Sequence, residues 1–471
     1  LERNLYRRDE EMKEIARLLA EIVGWEYVSA DPEERYFYAR DPGLMPPHSP
    51  DCVVIPGTTD EVQKIVRLAN REKIPVVPMG AGLSLTGLAI PLKGGMVVDM
   101  KRMSRIIRVN EMARYALVEG GTSQGALKAY LERHHPRLRH SIPDAPPTAT
   151  LAANVSIHGQ GRLTQQYGFN SDLISGMEVV TGAGEICKIG SCALSPDWFS
   201  KGAPFPDLSG LFLGWFGATG IITKLAVKLY PRKKFRDVEI FVTDRGDLVP
   251  EMVYEITHTE MAEDILAFTQ PKPMMFKDNH HVSFYLTGDT DEELEFKRKI
   301  LWHALDPYIK SKDGGFMGIP SMMKPVLLES PQRSASGLAD VKKGGGFEYS
   351  GPIVMLERYP VCMKKLQELG ARYDLAYSGM VRVIDGGHAV MFAFAFAFNR
   401  ADPEMMERTR KALKEVSDFV LKIGGLYWKP TVDEQRLAIQ HMDPSTWRLM
   451  KMIKRNLDPN GIMNPGNWEV G

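Results

Sequence analysis

Residues Val76–Pro91 read VVPMGAGLSLTGLAIP. A short apolar strand, Pro75–Pro78, runs into a loop carrying Gly80, Gly82 and Gly87, and a second strand follows at Met96–Met100. Glycines clustered after a strand let backbone N–H groups approach an anion closely, because no Cβ intervenes and φ can be positive. A pyrophosphate is cradled in that way. The spacing differs from the dinucleotide G-x-G-x-x-G: after Gly82 the next glycine comes five residues later, and no helix pattern follows at once. Taken alone, the cluster reads equally as a tight structural loop.

The chain around this loop is long enough, at 471 residues, for two or more domains. Apolar residues make up 44% and charged residues 25%, with Lys+Arg and Asp+Glu equal at 59, so nothing steers it toward nucleic acid or an acidic membrane surface. No apolar run reaches the length of a bilayer span, and no signal peptide is visible. Cys187 and Cys192 are close, but there is no C-x-x-C and no third cysteine nearby. An iron–sulfur cluster ligated wholly by this chain is therefore not expected, and a reducing cytoplasm fits the cysteine usage.

Outward from the loop, the pattern predicts a helix over Glu10–Ile22 and a second one behind Thr58 and Glu61, whose spacing is that of a capping box. Strands are expected at Ile106–Val109 and Tyr115–Glu119, with a helix over Ser123–His134. Gly182-Ala183-Gly184 marks a hairpin between Met177–Thr181 and Glu185–Ile189. Leu225, Val227 and Leu229 alternate with Lys224, Ala226 and Lys228, as on a half-buried strand. The character changes near Pro231–Asp237. Beyond it, helical patterns (Glu292–Leu305, Pro360–Tyr373) alternate with strands. Ala389–Phe398 reads AVMFAFAFAF, which puts Phe392, Phe394, Phe396 and Phe398 on one face and Ala393, Ala395 and Ala397 on the other. The phenylalanines are expected under helices; the alanine face leaves room for a substrate ring. Asp402-Pro403 opens a helix, and a last one is expected over Ser445–Leu457.

Four segments, in order and spacing, resemble the vanillyl-alcohol oxidase / p-cresol methylhydroxylase (PCMH) flavoprotein superfamily, whose FAD domain also occurs in D-lactate and glycolate dehydrogenases. They are the glycine loop with its strands; SIPDAPPTATLAANV (Ser141–Val155) with Tyr167-Gly168 and SGMEVVTGAGE (Ser175–Glu185); DLSGLFLGWFGATGIITK (Asp207–Lys224); and LDPNGIMNPG (Leu457–Gly466). The resemblance implies an α+β fold: a two-subdomain PCMH-type FAD-binding domain over residues 1–231, an α+β cap with an antiparallel sheet over 232–410, and a C-terminal segment, 411–471, completing the flavin site.

The resemblance implies FAD as cofactor. The expected contacts are Pro78, Met79, Gly80, Ala81, Gly82, Leu83, Ser84 and Gly87 from the loop, then Pro147, Thr148, Ala152 and Asn154, then Tyr167 near the isoalloxazine or ribityl chain. Gly217, Gly220 and Ile222 form the opposite wall, and Asn464 brings the chain end back over the flavin. The loop has no histidine, cysteine or tyrosine for a covalent bond, which favours non-covalent FAD; Tyr349 is the alternative attachment point in the cap.

Two branches of the superfamily compete. The hydroxy-acid branch carries G-H-x-G-D-G-N-x-H and G-E-H-G motifs. Here Gly387-His388 is followed by Ala389-Val390-Met391-Phe392, and the second position reads Leu426-Tyr427-Trp428-Lys429-Pro430. A metal site is therefore not expected. FEYSGPIV (Phe347–Val354), Tyr377-Ser378-Gly379, FNRADPE (Phe398–Glu404) and Gly425–Tyr427 resemble the phenol branch, where a Tyr-Arg pair holds a phenolate. Tyr427 matches the tyrosine, but Trp428 stands at the arginine position. Asp172 and Asp207–Lys224 look closer to the hydroxy-acid branch.

The candidate catalytic residues are Tyr427 as a substrate-facing phenol, Asp144 as a base and His388 as a base. Each has a plain alternative: a buried aromatic, a cap of the Pro143–Pro147 turn, and a structural histidine. Lys429 and Arg382 read either as anion holders or as solvated charges. The expected activity is removal of hydride from an aromatic or para-hydroxybenzylic alcohol or alkylphenol. A 2-hydroxy acid dehydrogenase and an electron-transfer subunit are the alternatives. The acceptor stays open between oxygen, a cytochrome, a quinone or another flavoprotein. A redox partner subunit (cytochrome, iron–sulfur or flavoprotein) and a homo-oligomer or mixed complex are the implied assemblies.

Overall fold

The computed structural model describes residues 14–269, 279–329 and 345–469. It is an α+β architecture built on a four-stranded sheet, a five-stranded sheet and a two-stranded ribbon (Leu138–Arg139 with Tyr230–Pro231) in the first half and one large antiparallel sheet in the second. The first helix covers residues 14–23; Glu10–Lys13 of the expected helix lie outside the described residues. Strands Cys52–Val54, Met96–Asp99 and Val76–Met79 run parallel, and the Thr59–Glu72 helix buries Val62, Ile65, Val66 and Ala69 against them. Thr58 Oγ1 accepts from Glu61 N at 3.1 Å, while the Glu61 carboxylate accepts from Gly57 N at 2.7 Å, one residue ahead of the reciprocal bond a capping box makes.

The second sheet is antiparallel, in the order Ile106–Asn110, Tyr115–Glu119, Gly220–Lys228, Ile174–Thr181, Ile186–Gly190. The expected hairpin is present, with Val180 opposite Ile186 and Gly184 at φ 77°. Gly220–Lys228 departs from the half-buried expectation: Leu225, Ala226 and Val227 are all buried. Leu225 and Val227 join the core over the Gln124–His134 helix, and Ala226 packs with Tyr115, Leu117 and Trp198 on the other side. Both faces are covered, so the alternation reports which core each residue joins.

In the large sheet, Phe235–Thr243 follows Gly315–Phe316 at one edge, then His280–Gly288, Asp264–Thr269, Ala376–Ile384, Ala389–Asn399 and Gly345–Ser350; Ile353–Val354 also pairs with Ala389–Asn399. Helices Val249–His258, Asp291–Lys310, Tyr359–Tyr373 and Pro403–Lys422 cover one face, and Phe392, Phe394 and Phe396 are buried beneath them. Side chains on the other face, among them Ala393, look toward the first half of the chain.

The C-terminal segment contains a helix the periodicity reading missed, Val432–His441, opened by a capping box between Thr431 and Glu434. After the Pro444–Leu457 helix the chain returns to the glycine loop. Val76 N donates to Ile462 O at 2.8 Å and Asn464 N to Val76 O at 2.7 Å, so the C-terminus adds itself beside the strand that feeds the loop.

Candidate functional site at the junction of the two halves

The loop after Val76–Met79 is shaped by contacts that only glycine permits. A Cβ on Gly80 would collide with Thr150 Oγ1 and Ala153, so this glycine docks the loop onto the second glycine- and alanine-bearing segment. Gly82 has φ 65°, and the only neighbour within 4 Å of a Cβ built there is Met79 Sδ, at 3.6 Å. A side chain there would thus meet little of the protein. Asp41 braces the far side: its carboxylate accepts from Gly87 N at 2.8 Å and Ser84 Oγ at 3.3 Å. Asn464 Nδ2 donates to Leu88 O at 2.8 Å and Phe216 O at 2.6 Å, closing a ring of chain around the loop. Gly217, at φ 79°, packs its α-carbon against Pro78, and Gly220 lies close to Val180 O. Among the described residues, Thr86 Oγ1, Thr150 Oγ1 and Asn464 Oδ1 are buried without a hydrogen-bond partner. Such groups are costly unless something pairs them. The two hydroxyls can donate to a polar group lying against the loop, and the Asn464 amide oxygen can accept from one.

The remaining sequence candidates occupy varied settings. Ala152 and Asn154 are buried in the Leu151–Ser156 helix, where Asn154 Oδ1 accepts from Asn170 Nδ2 at 2.7 Å. Pro147 O caps the start of the Gln124–His134 helix through Gly125 N, and Thr148 beside it is exposed. Ile222 is buried, its carbonyl lying against Gly120. Tyr167 is 44% exposed and stacks on Tyr230 at 4.4 Å. His388 is exposed in the turn joining Ala376–Ile384 to Ala389–Asn399.

Tyr427 is not brought into the junction. Leu426 pairs with Ile353, and extended chain then sends Tyr427 into the helix-covered core, where its hydroxyl donates to Ser417 O at 2.8 Å. Burial raises its pKa well above the ordinary tyrosine value. Trp428 and Lys429 turn the other way. The Trp428 indole N–H donates to Ile157 O and His158 O across the junction, at 3.1 and 2.8 Å. The ring packs with Phe169, Tyr349, Met380, Met391 and Ala393. Lys429 is only 8% exposed; its Nζ donates to Tyr349 Oη at 2.6 Å and lies 3.4 Å from Ser84 O of the glycine loop. It sits 4.7 and 4.5 Å from the centres of the Tyr349 and Trp428 rings. Among the described residues it forms no ion pair, so a buried cation faces the junction with aromatic rings and neutral oxygens around it. Lys429 is not a solvated charge.

Arg382 is not solvated either. It is 1% exposed in the middle of the large sheet and pairs with Asp144 and Asp264. Among the described residues, no group of three or more His, Cys, Asp and Glu is drawn together as for a metal ion.

Glu348, next to Tyr349, is a site residue that periodicity alone could not reveal. It is buried, accepts from Leu44 N, and has its carboxyl pushed up to about 8, first by burial and then by the Asp41 and Glu434 charges. Folded protein therefore holds a proton on Glu348 that unfolded protein releases near 4.5. The stability that this proton brings is complete below about 4.5 and is lost as pH rises through about 8. We expect Glu348→Gln to flatten the fall of Tm between about pH 5 and pH 8, the wild-type slope from this group being at most about 1.4 kcal/mol per pH unit. Identical pH–Tm curves for the two proteins would show Glu348 to be hydrated and ionised in the fold.

Residues 50–190 match the FAD binding domain family, and residues 353–468 match the C-terminal domain of FAD linked oxidases. The chain is an FAD-dependent oxidoreductase. It is 23% identical to glycolate oxidase subunit GlcD of Bacillus subtilis (strain 168), the alignment covering 96% of each protein. It is 25% identical to the flavoprotein subunit of 4-cresol dehydrogenase [hydroxylating] from Pseudomonas putida, over 89% of this chain and 88% of that one. Its fold matches the crystal structure of p-cresol methylhydroxylase with substrate bound, with a TM-score of 0.83 at 21% identity, covering 98% of this chain and 97% of that one. Both branches weighed in the sequence are thus represented among its relatives. Among the described residues, no helix of this oxidoreductase is long and apolar enough to cross a membrane.

Proposed function

We propose that this flavoenzyme oxidises a small aromatic alcohol of the para-hydroxybenzylic or alkylphenol type. The observation that carries the reading is the Lys429–Tyr349 pair set against the apolar wall of Trp428, Phe169, Met380 and Met391. An aromatic ring suits that wall, and an acidic oxygen on the ring suits the buried ammonium. Tyr349 accepts from Lys429, which leaves its own O–H proton to donate to a substrate oxygen.

FAD, when bound, accepts the hydride from the substrate carbon. The protein holds the C–H bond in place and takes up the hydroxyl proton. Asp144 is the proposed acceptor: 37% of its side chain is open, and it lies beside Arg382 of the large sheet. As the carbon–hydrogen pair leaves, the O–H electron pair becomes the second bond of the carbonyl and the proton moves to Asp144.

Rapid anaerobic mixing with a substrate panel tests this reading. We expect para-hydroxybenzylic alcohols to bleach the flavin absorbance faster than 2-hydroxy acids. Reduction by 2-hydroxy acids alone would place the enzyme beside the glycolate oxidase relative, with Lys429 holding a carboxylate. Reduction by no small molecule, but only by a protein donor, would make it an electron-relay subunit.

The flavin is proposed to be non-covalent, since the glycine loop has no histidine, cysteine or tyrosine. Acid precipitation should leave the yellow colour in the supernatant. A yellow pellet would point to an ether bond at Tyr349. The division into an FAD-binding unit over 1–231, a cap over 232–410 and a closing segment over 411–471 is likewise proposed, as is a redox partner subunit, by analogy with the subunit names of the relatives.

A further inference from the structure

Arg382 lies in a central strand, between Leu266 on one neighbour and Met391 on the other. A guanidinium there is stable only if its donors are met. Nη1 donates to Asp264 Oδ2 at 2.7 Å and to Gly161 O at 3.1 Å, and Nη2 donates to Asp144 Oδ2. Asp264 also accepts from Arg162 Nη1 at 3.1 Å, and Arg162 lies 4.1 Å over the Tyr285 ring and donates to Leu327 O at 3.2 Å. Two guanidinium groups and two carboxylates therefore form one neutral cluster. Asp144 and Arg162 come from the first half of the chain, Asp264 and Arg382 from the large sheet.

The cluster is asymmetric. Arg382, Arg162 and Asp264 are at most 6% exposed by side chain, while Asp144 keeps 37%. A purely structural ion cluster has no need of one open carboxylate, and apolar packing would replace it at no loss of stability. Burial opposes charge on Asp144, but Arg382 and then Arg162 outweigh it and hold its carboxyl below the usual range. Asp264, more deeply enclosed, is pushed up.

We propose that Arg382 is a positioning residue for the proton acceptor: it crosses from the cap sheet to clamp one oxygen of Asp144 and leaves the other directed at the substrate. The proposal rests on the reading of Asp144 as proton acceptor. Docking of the two halves then assembles the base, because neither half alone contains both members of the pair.

The test uses FAD-loaded full chain and two readouts. The first is the acid limb of the pH profile for substrate-driven flavin reduction. Arg382→Met should move that limb up by about one pH unit or more, and Arg382→Lys by less. Asp264→Asn, which frees Arg382 for Asp144 alone, should move it down. Opposite shifts from two changes in one cluster are not expected of a merely structural role. The second readout needs no substrate: a pH titration of the flavin absorbance. The transition belonging to Asp144 should lie at higher pH in Arg382→Lys than in wild type and should be missing from Arg382→Lys/Asp144→Asn. If Arg382→Met fails to fold, the Lys and Asn variants decide. Unmoved limbs and unchanged titrations in variants that keep their FAD would overturn the proposal. If no panel substrate reduces the wild-type flavin, the functional reading fails, and the titration still judges Arg382.

Discussion

Gly82→Val is expected to give a folded protein that does not retain FAD. The backbone at Gly82 sits at φ 65°, a region in which a β-branched residue costs on the order of 1–2 kcal/mol. Within 4 Å of the new Cβ lies only Met79 Sδ, at 3.6 Å, so the valine would project from the loop into open space. Packing is spared while the approach to the loop N–H groups is filled. The apoprotein should lose only a few degrees of Tm, whereas FAD affinity should fall by about 100-fold or more, the equivalent of ~2.7 kcal/mol. The ratio of flavin to protein absorbance after purification, followed by titration with FAD, measures both. Gly80→Ala is the contrast: its Cβ meets Thr150 Oγ1 and Ala153, so it should unsettle the apoprotein as well. Wild-type FAD affinity in Gly82→Val would place the pyrophosphate elsewhere.

Lys429→Met should cost turnover rather than stability. Its ammonium is buried beside Tyr349 and Ser84 without an ion pair among the described residues, so removing it relieves a desolvated charge. Beside the ring oxygen the same charge would hold the substrate in place and favour the ionised phenol, whose electrons assist hydride departure; losing a charged donor of this kind costs on the order of 2.7–4 kcal/mol, or 10²–10³ in kcat. We expect that loss in stopped-flow flavin reduction, with FAD content unchanged and Tm equal or higher. Tyr427→Phe is the control. It deletes only the bond to Ser417 O, worth about 1 kcal/mol, and should leave turnover near wild type. The reverse pattern, a dead Tyr427→Phe beside an active Lys429→Met, would return Tyr427 to the reacting centre.

These contrasts mark where sequence reasoning reaches. The glycine loop, the second segment around Thr150 and the returning C-terminus were legible because each is a local pattern. Small residues let backbone pass close to backbone, and that need is written into the residue type. The hairpin at Gly182–Gly184 and the phenylalanine face of Ala389–Asn399 were legible for the same reason, since strand periodicity is a property of consecutive residues.

The catalytic candidates lay beyond that reach. A charged side chain has no periodicity that tells a buried ion from a solvated one. Arg382 is buried because Asp144 and Asp264, 238 and 118 residues away in sequence, come to meet it. The choice between Tyr427 and its neighbours turned on one residue of phase. Leu426 pairs with Ile353, so Tyr427 enters the cap core, while Trp428 and Lys429 face the first half of the chain. The sequence by itself determined that the glycine loop packs on a second small-residue segment and that the C-terminus returns beside the strand that feeds it. Which side chains look into the junction was decided by the Leu426–Ile353 pairing, which sets the phase that sends Tyr427 into the cap core and Trp428 the other way, and by the left-handed backbone of Lys429, φ 52°, which breaks the alternation and keeps its side chain beside Trp428. A long-range pairing and a local turn of this kind are settled only when the large sheet docks against the first half.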